Sequence, residues 1–238
     1  VIRTAAAFVL LLLAGCGTAG SESEGTRTAN GFPRAHRPVA PTVSGGYSTE
    51  ATRDRLREAQ EVMRLAEIEP GMTVADIGAG EGYYTIRLAQ RVGKQGRVLA
   101  QDIVPAYRDR LAERVARERL DNVSVKLGDP ADPKLPDRSF DRIFLVHMYH
   151  EIGEPYEFLW RMRPALRPHG IVVVVDADRP TGDRGTPPAL LDCEMNAVGY
   201  TRILREKMPE PGTYLATYVA SGPRPAPEEI KGCVPAAS

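Results

Sequence analysis

A glycine-rich turn flanked by carboxylates carries the first chemical signal in this sequence. Val74-Ala75-Asp76-Ile77-Gly78-Ala79-Gly80-Glu81-Gly82 joins a short apolar run to a helical pattern. The glycines let the backbone turn sharply and approach a bound group with no Cβ in the way. A helix beginning just after them aims free N–H groups and a positive dipole end at an anion. Asp76 ends the apolar run, where it can accept from a cationic group. Asp102 ends the next apolar run, where a carboxylate suits ribose hydroxyls. The spacing separates two ligand classes. Dinucleotide binders use G-x-G-x-x-G, which would need a glycine at Tyr83, and Asp76 would repel a pyrophosphate. A nicotinamide-dependent oxidoreductase is therefore disfavoured.

A second cluster follows the fourth apolar run: Val146-His147-Met148-Tyr149-His150-Glu151-Ile152. It holds two of the four histidines. Such a group can take a proton from a nucleophile or orient it. His147 ranks first and His150 second, with Glu151 as an orienting group and Tyr149 as a further candidate. The competing reading is that these residues shape a pocket and cap the next helix. Asp176-Ala177-Asp178-Arg179-Pro180 lies after the fifth run and reads first as a solvated loop, with substrate contact as the alternative.

The elements that must position these residues alternate. Ser48 and Thr49 cap a helix to about Leu65, and Pro70-Gly71 breaks it. Strands are expected at Thr73–Ile77, Val98–Gln101, Val123–Lys126, Arg142–Val146 and Ile171–Val175. Helices are expected at Tyr83–Val92, Pro105–Arg119, Glu154–Leu166 and Pro187–Val198. Ile171–Val175 is five β-branched residues in a row, the pattern of a strand buried on both faces. Tyr200–Glu206 and Thr213–Ala220 read as a closing hairpin around Pro209-Glu210-Pro211-Gly212. The sum is an α/β, Rossmann-like, doubly wound seven-stranded sheet, mostly parallel, with an antiparallel C-terminal hairpin strand. The acidic residues then fall at one sheet edge. Trp160 reads as core.

Asp76 followed by x-G-x-G-x-G resembles motif I of class I S-adenosylmethionine-dependent methyltransferases. Ile68-Glu69-Pro70-Gly71-Met72-Thr73 and Leu166-Arg167-Pro168-His169-Gly170 are similar to the small-molecule branch of that family, although His169 stands where a glycine is usual. The resemblance implies S-adenosyl-L-methionine as cofactor, held by Asp76, Gly78, Ala79, Gly80, Gly82, Asp102, Ile103 and Asp129. Ile103 would lie against the adenine ring, and Asp129 would accept from its amino group. The cluster at 147–151 would face the methyl acceptor. The resemblance also implies that the Tyr47 segment and first helix cover the site. The D/N-P-P-Y/F motif of nucleic-acid amino methylation is absent. Lys plus Arg and Asp plus Glu both number 31, without the basic excess of polyanion binders. The expected partner is thus a small molecule, with no nucleic acid, no protein partner and no metal. The rival reading is a ligand-binding module without catalysis.

The N-terminus differs from the rest. Arg3, the apolar run Ala5–Ala14, Gly15 and Cys16 have the layout of an export signal. Leu13-Ala14-Gly15-Cys16 resembles the lipobox of bacterial lipoproteins, which implies lipidation at Cys16, a membrane anchor and the periplasmic face of the cell envelope. A downstream start would place the chain in the cytoplasm. Acyl chains contribute roughly 0.8 kcal/mol per buried CH2, so more than one makes a durable anchor. The domain reading is a signal segment over 1–16, a flexible tether over 17–46, a methyltransferase domain over 47–221 and a loop-like tail over 222–238. An oxidising compartment permits a disulfide between Cys193 and Cys233, with two unpaired thiols as the alternative.

Overall fold

The computed structural model describes residues 27–42 and 49–233. Cys16 and Tyr47, and with them the lipid anchor and part of the expected cover, lie outside these residues. The chain runs α1 (Glu50–Arg55), α2 (Glu58–Leu65), β1 (Thr73–Ile77), α3 (Tyr83–Val92), β2 (Arg97–Asp102), α4 (Pro105–Arg117), β3 (Val123–Leu127) and β4 (Phe140–Val146). It continues through α5 (Pro155–Met162), β5 (Leu166–Ala177), α6 (Pro188–Ala197), β6 (Tyr200–Lys207) and β7 (Thr213–Ala220).

The strands form one sheet in the order β3-β2-β1-β4-β5-β7-β6. β1 to β5 pair in parallel, and β7 enters antiparallel between β5 and β6. This is the expected seven-stranded sheet. The β-branched run of β5 shows why it is central. Val172 and Val174 enter one core layer, with α5 and α6, while Ile171, Val173 and Val175 enter the other, with α2 and α3. Side chains alternate across a strand, so only a strand covered on both sides tolerates an unbroken apolar run.

The sequence direction of the sheet reverses between β1 and β4, where β1 pairs with β2 on one side and β4 on the other. Such a switch point opens a crevice at the carboxyl ends of the strands. Ile77 lies level with Gln101 and Leu145 there, and Val146 with Val175.

Three features depart from the sequence reading. The first helix is broken in two, because Arg57 takes a left-handed conformation at φ 54°. Thr49 caps the first piece as expected. Second, residues 27–42 are not a loose tether. Phe32 and Ala40 are buried at 2% exposure, and Arg37 is buried in an ion pair with Glu194 at 2.9 Å. Third, Trp160 is only partly buried. It meets Phe32 edge-on, carries Arg224 over its ring at 3.6 Å, and donates Nε1–H to the Pro225 carbonyl. It packs against the edge of the core and there clamps the N-terminal strap and the tail. Residues 222–233 hold a single 3-10 turn, Pro227–Glu229, and a disulfide between Cys193 and Cys233 ties this segment to α6.

Candidate active site

The crevice holds a cleft of about 340 Å³. Gly78, Ala79 and Gly80 form its floor, and Asp102, His147, Met148, His150 and Glu151 contribute to its walls. The floor is shaped by backbone. Gly78 and Gly80 have φ of 67° and 54°, and a Cβ on Gly78 would stand 2.9 Å from Met148 Cγ. Gly82 opens α3 at φ 90° with no side-chain cap, and a Cβ there would meet Leu111 at 2.4 Å. An uncapped helix start leaves backbone N–H groups for an anion.

Asp102 holds this floor against β2. One carboxylate oxygen accepts from Gly80 N–H at 2.9 Å and the other from Val104 N–H at 2.8 Å. Asp76 takes a different place from the one expected. It is buried behind the loop, accepts from the Thr85 hydroxyl, and does not line the cleft. It ties β1 to α3 and so fixes the turn. Burial raises its pKa to about 6, partly offset by the Thr85 hydrogen bond.

Beside the main cleft a smaller recess is lined by Ile77, Gln101, Ile103, Pro130, Met148 and Phe158. Ile103 thus lines a recess next to the cleft. Asp129 is not in either wall. Its carboxylate accepts from Ala131 N–H in its own turn, which together with nearby Lys134 lowers its pKa. The sequence reading missed Gln101. Its side chain is 1% exposed, and both amide atoms are buried without a partner among the described residues. Gly128 makes room for it, since a Cβ there would fall 1.2 Å from Gln101 Nε2. A lone glutamine beside an acidic strand end gave no sequence signal.

On the other wall the cluster at 147–151 is split. Tyr149 is fully buried and turned away, donating to Glu194 at 2.8 Å beneath Arg37. This removes it from the candidates. His147 lines the cleft, but its Nε2 is engaged by Glu58 at 3.2 Å. Glu58 also accepts from Arg53 and from the Tyr84 hydroxyl. Burial pushes the Glu58 carboxyl up, but the bonds from His147 and Arg53 outweigh it and hold it far below the usual range. The kink at Arg57 turns Glu58 inward, so Glu58 was not legible as a partner of His147. Glu58, His147 and Glu210 bring ligand atoms within 4.8 Å of one another. The Arg53 guanidinium already supplies the positive charge at that point.

His150 is arranged for chemistry. It lines the cleft, and its Nδ1 meets the Asp176 carboxylate at 3.0 and 3.2 Å. Asp176 is not the solvated loop residue expected. It is fully buried and also accepts from the Ala177 N–H and the Thr186 hydroxyl.

The glycine floor, the open helix start and the carboxylate ending β2 sit on a sheet of this order at its switch point. This is the fold of S-adenosylmethionine-dependent methyltransferases, and the cleft offers that cofactor a backbone cradle, the strand-end carboxylate of Asp102 and a recess with a buried, unpartnered amide. Residues 74–170 match the family described as Methyltransferase domain. A demethylmenaquinone methyltransferase of Geobacillus stearothermophilus is 28% identical over 62% of this chain and 64% of its own length. A nocamycin O-methyltransferase of Saccharothrix syringae is 39% identical over 43% of this chain and 37% of its own length. The chain thus spans less than two thirds of these relatives. Among solved structures, a SAM-dependent methyltransferase from Aquifex aeolicus superposes with a TM-score of 0.64 at 22% identity, over 73% of this chain and all of that one. The [4+2]-cyclase SpnF superposes with a TM-score of 0.59 at 20% identity, over 73% of this chain and 66% of that one.

Proposed function

We propose that the protein binds S-adenosyl-L-methionine in this cleft and transfers its methyl group to a small-molecule acceptor. The observation that carries this reading is the Asp102–Gly80 contact, which sets a ribose-type carboxylate directly against the glycine cradle. The loop and the start of α3 would hold the amino-acid end. Gln101, Ile103 and Met148 would hold the adenine. The bound cofactor supplies an electrophilic methyl carbon on a sulfonium, with a neutral thioether as its leaving group. This chain's own part is to position the acceptor and exclude water, which contributes much of the rate in such displacements. Calorimetric titration of the folded protein with S-adenosylmethionine and S-adenosylhomocysteine tests the reading. Absence of binding to both would overturn it.

A second reading is a binding module without turnover. The architecture does not by itself dictate methyl transfer, since a [4+2]-cyclase shares it. Cofactor binding without release of S-adenosylhomocysteine across a panel of small acceptors would favour it. We also propose that the chain is exported and anchored through Cys16 at the cell envelope. The Cys193–Cys233 disulfide supports an oxidising compartment. Radiolabelled palmitate incorporated by the native chain but not by Cys16→Ser is the expected result.

A further inference from the structure

His150 presents a ring whose orientation is fixed from behind. Its Nδ1 faces a carboxylate, so the hydrogen sits on Nδ1 and the lone pair on Nε2. Nε2 has no hydrogen-bond partner among the described residues, and His150 lines the cleft. Asp176 cannot swing away, because the Ala177 N–H and the Thr186 hydroxyl hold it at 2.8 and 2.7 Å. His147 differs in kind. The nitrogen it would use is the one engaged by Glu58.

The loop that carries Thr186 to Asp176 also carries Arg184 to the cleft wall. Arg184 takes a left-handed backbone conformation at φ 60°, and its guanidinium makes no ion pair among the described residues. One loop thus braces a proton acceptor and brings a cation to the wall of the same cleft. A neutral amine or a thioether acceptor needs neither. An acceptor that must shed a proton and pass through an anion needs both.

We infer that His150 and Asp176 form a proton-accepting dyad and that the methyl acceptor is an acidic hydroxyl compound, a phenol or an enol. This rests on the methyl-transfer reading above. The acceptor oxygen forms the new bond to the methyl carbon. The sulfonium–methyl bond breaks with its electron pair remaining on sulfur, and the O–H proton passes to His150 Nε2. Asp176 stabilises the imidazolium, which returns the proton to water. His150 is the catalytic residue; Asp176 positions it.

The probe is 4-nitrophenol, whose phenolate is yellow, titrated into the native protein, His150→Gln and Asp176→Asn. The pH is set where the free probe is mostly neutral. Binding to the native protein is expected to raise the phenolate band, and both variants should bind the probe without that rise. In parallel, release of S-adenosylhomocysteine from S-adenosylmethionine is followed with phenols, thiols and pyridines. The variants should lose roughly 10²- to 10⁴-fold with phenols, the usual range for a proton acceptor. Equal phenolate bands in all three proteins, failure of the native protein to bind the phenol, or transfer confined to thiols or pyridines would overturn the dyad. Failure to bind S-adenosylmethionine would instead remove the methyl-transfer reading, and the phenolate band would still decide the dyad.

Discussion

At the scale of residues, the site is a set of polar side chains whose neighbours decide their roles. Asp102 is legible in sequence because it ends a strand, and its two backbone bonds brace the glycine loop against β2 at the position proposed above for the ribose contact. Asp102→Ala is expected to lower affinity for S-adenosylhomocysteine roughly 10- to 100-fold, the loss of one or two charge-assisted hydrogen bonds. Isothermal calorimetry reads this directly. Asp76 behaves differently because it is buried. Its pKa is about 6 in the folded chain, against 3.8 as the ordinary value. Between those values the folded state binds more protons than the unfolded state, so its contribution to stability falls as pH rises. The full cost above pH 6 is on the order of 3 kcal/mol. Urea unfolding of the native protein and Asp76→Asn should show the native protein losing ground to the variant from pH 4 to pH 7. A difference that does not change with pH would refute the assignment.

At the scale of elements, the turn between β1 and α3 depends on backbone shape more than on side chains. Gly82 combines a positive φ with a neighbour, Leu111, that leaves no room for a Cβ. Gly82→Ala should cost about 1–3 kcal/mol in stability, measured by chemical denaturation, and should also weaken cofactor binding. Replacing Gly93, which also has a positive φ but open space around it, isolates the backbone part of that cost. The break between α1 and α2 is the other decisive element. It brings Glu58 to Arg53, Tyr84 and His147. Glu58→Ala would leave Arg53, whose side chain is only 13% exposed, without its carboxylate, a loss of about 3 kcal/mol. A drop in midpoint with an unchanged urea slope would show it.

At the scale of the molecule, the chain closes on itself. Arg27 donates to the carbonyls of Pro227, Glu228 and Ile230, so the strap and the tail meet. The strap then passes Trp160 and Glu194, pairs Ala40 N–H with the His150 carbonyl, and reaches the cleft at Thr42. The disulfide pins the tail across a separation of 40 residues. Loop-closure entropy puts its contribution at about 4 kcal/mol. Cys193→Ser with Cys233→Ser should lower the unfolding free energy by about that amount without abolishing the fold. Native protein under reducing conditions should match the double variant.

The amino-acid sequence by itself determined the sheet, its hairpin and the cofactor edge. Those follow from local patterns: the β-branched run at Ile171–Val175, the glycines at 78, 80 and 82, and Asp102 at a strand end. Each acts through its own backbone or its nearest strand. Tertiary structure decided the rest. Residues 27–42 have no apolar period, yet single anchors, Phe32 and Arg37, find partners more than a hundred residues away. Likewise Tyr149 and His150 are adjacent in sequence, but one turns to Glu194 and the other to Asp176. Long-range pairing of buried polar groups is fixed by the packing that excludes water from them, and no local spacing encodes it.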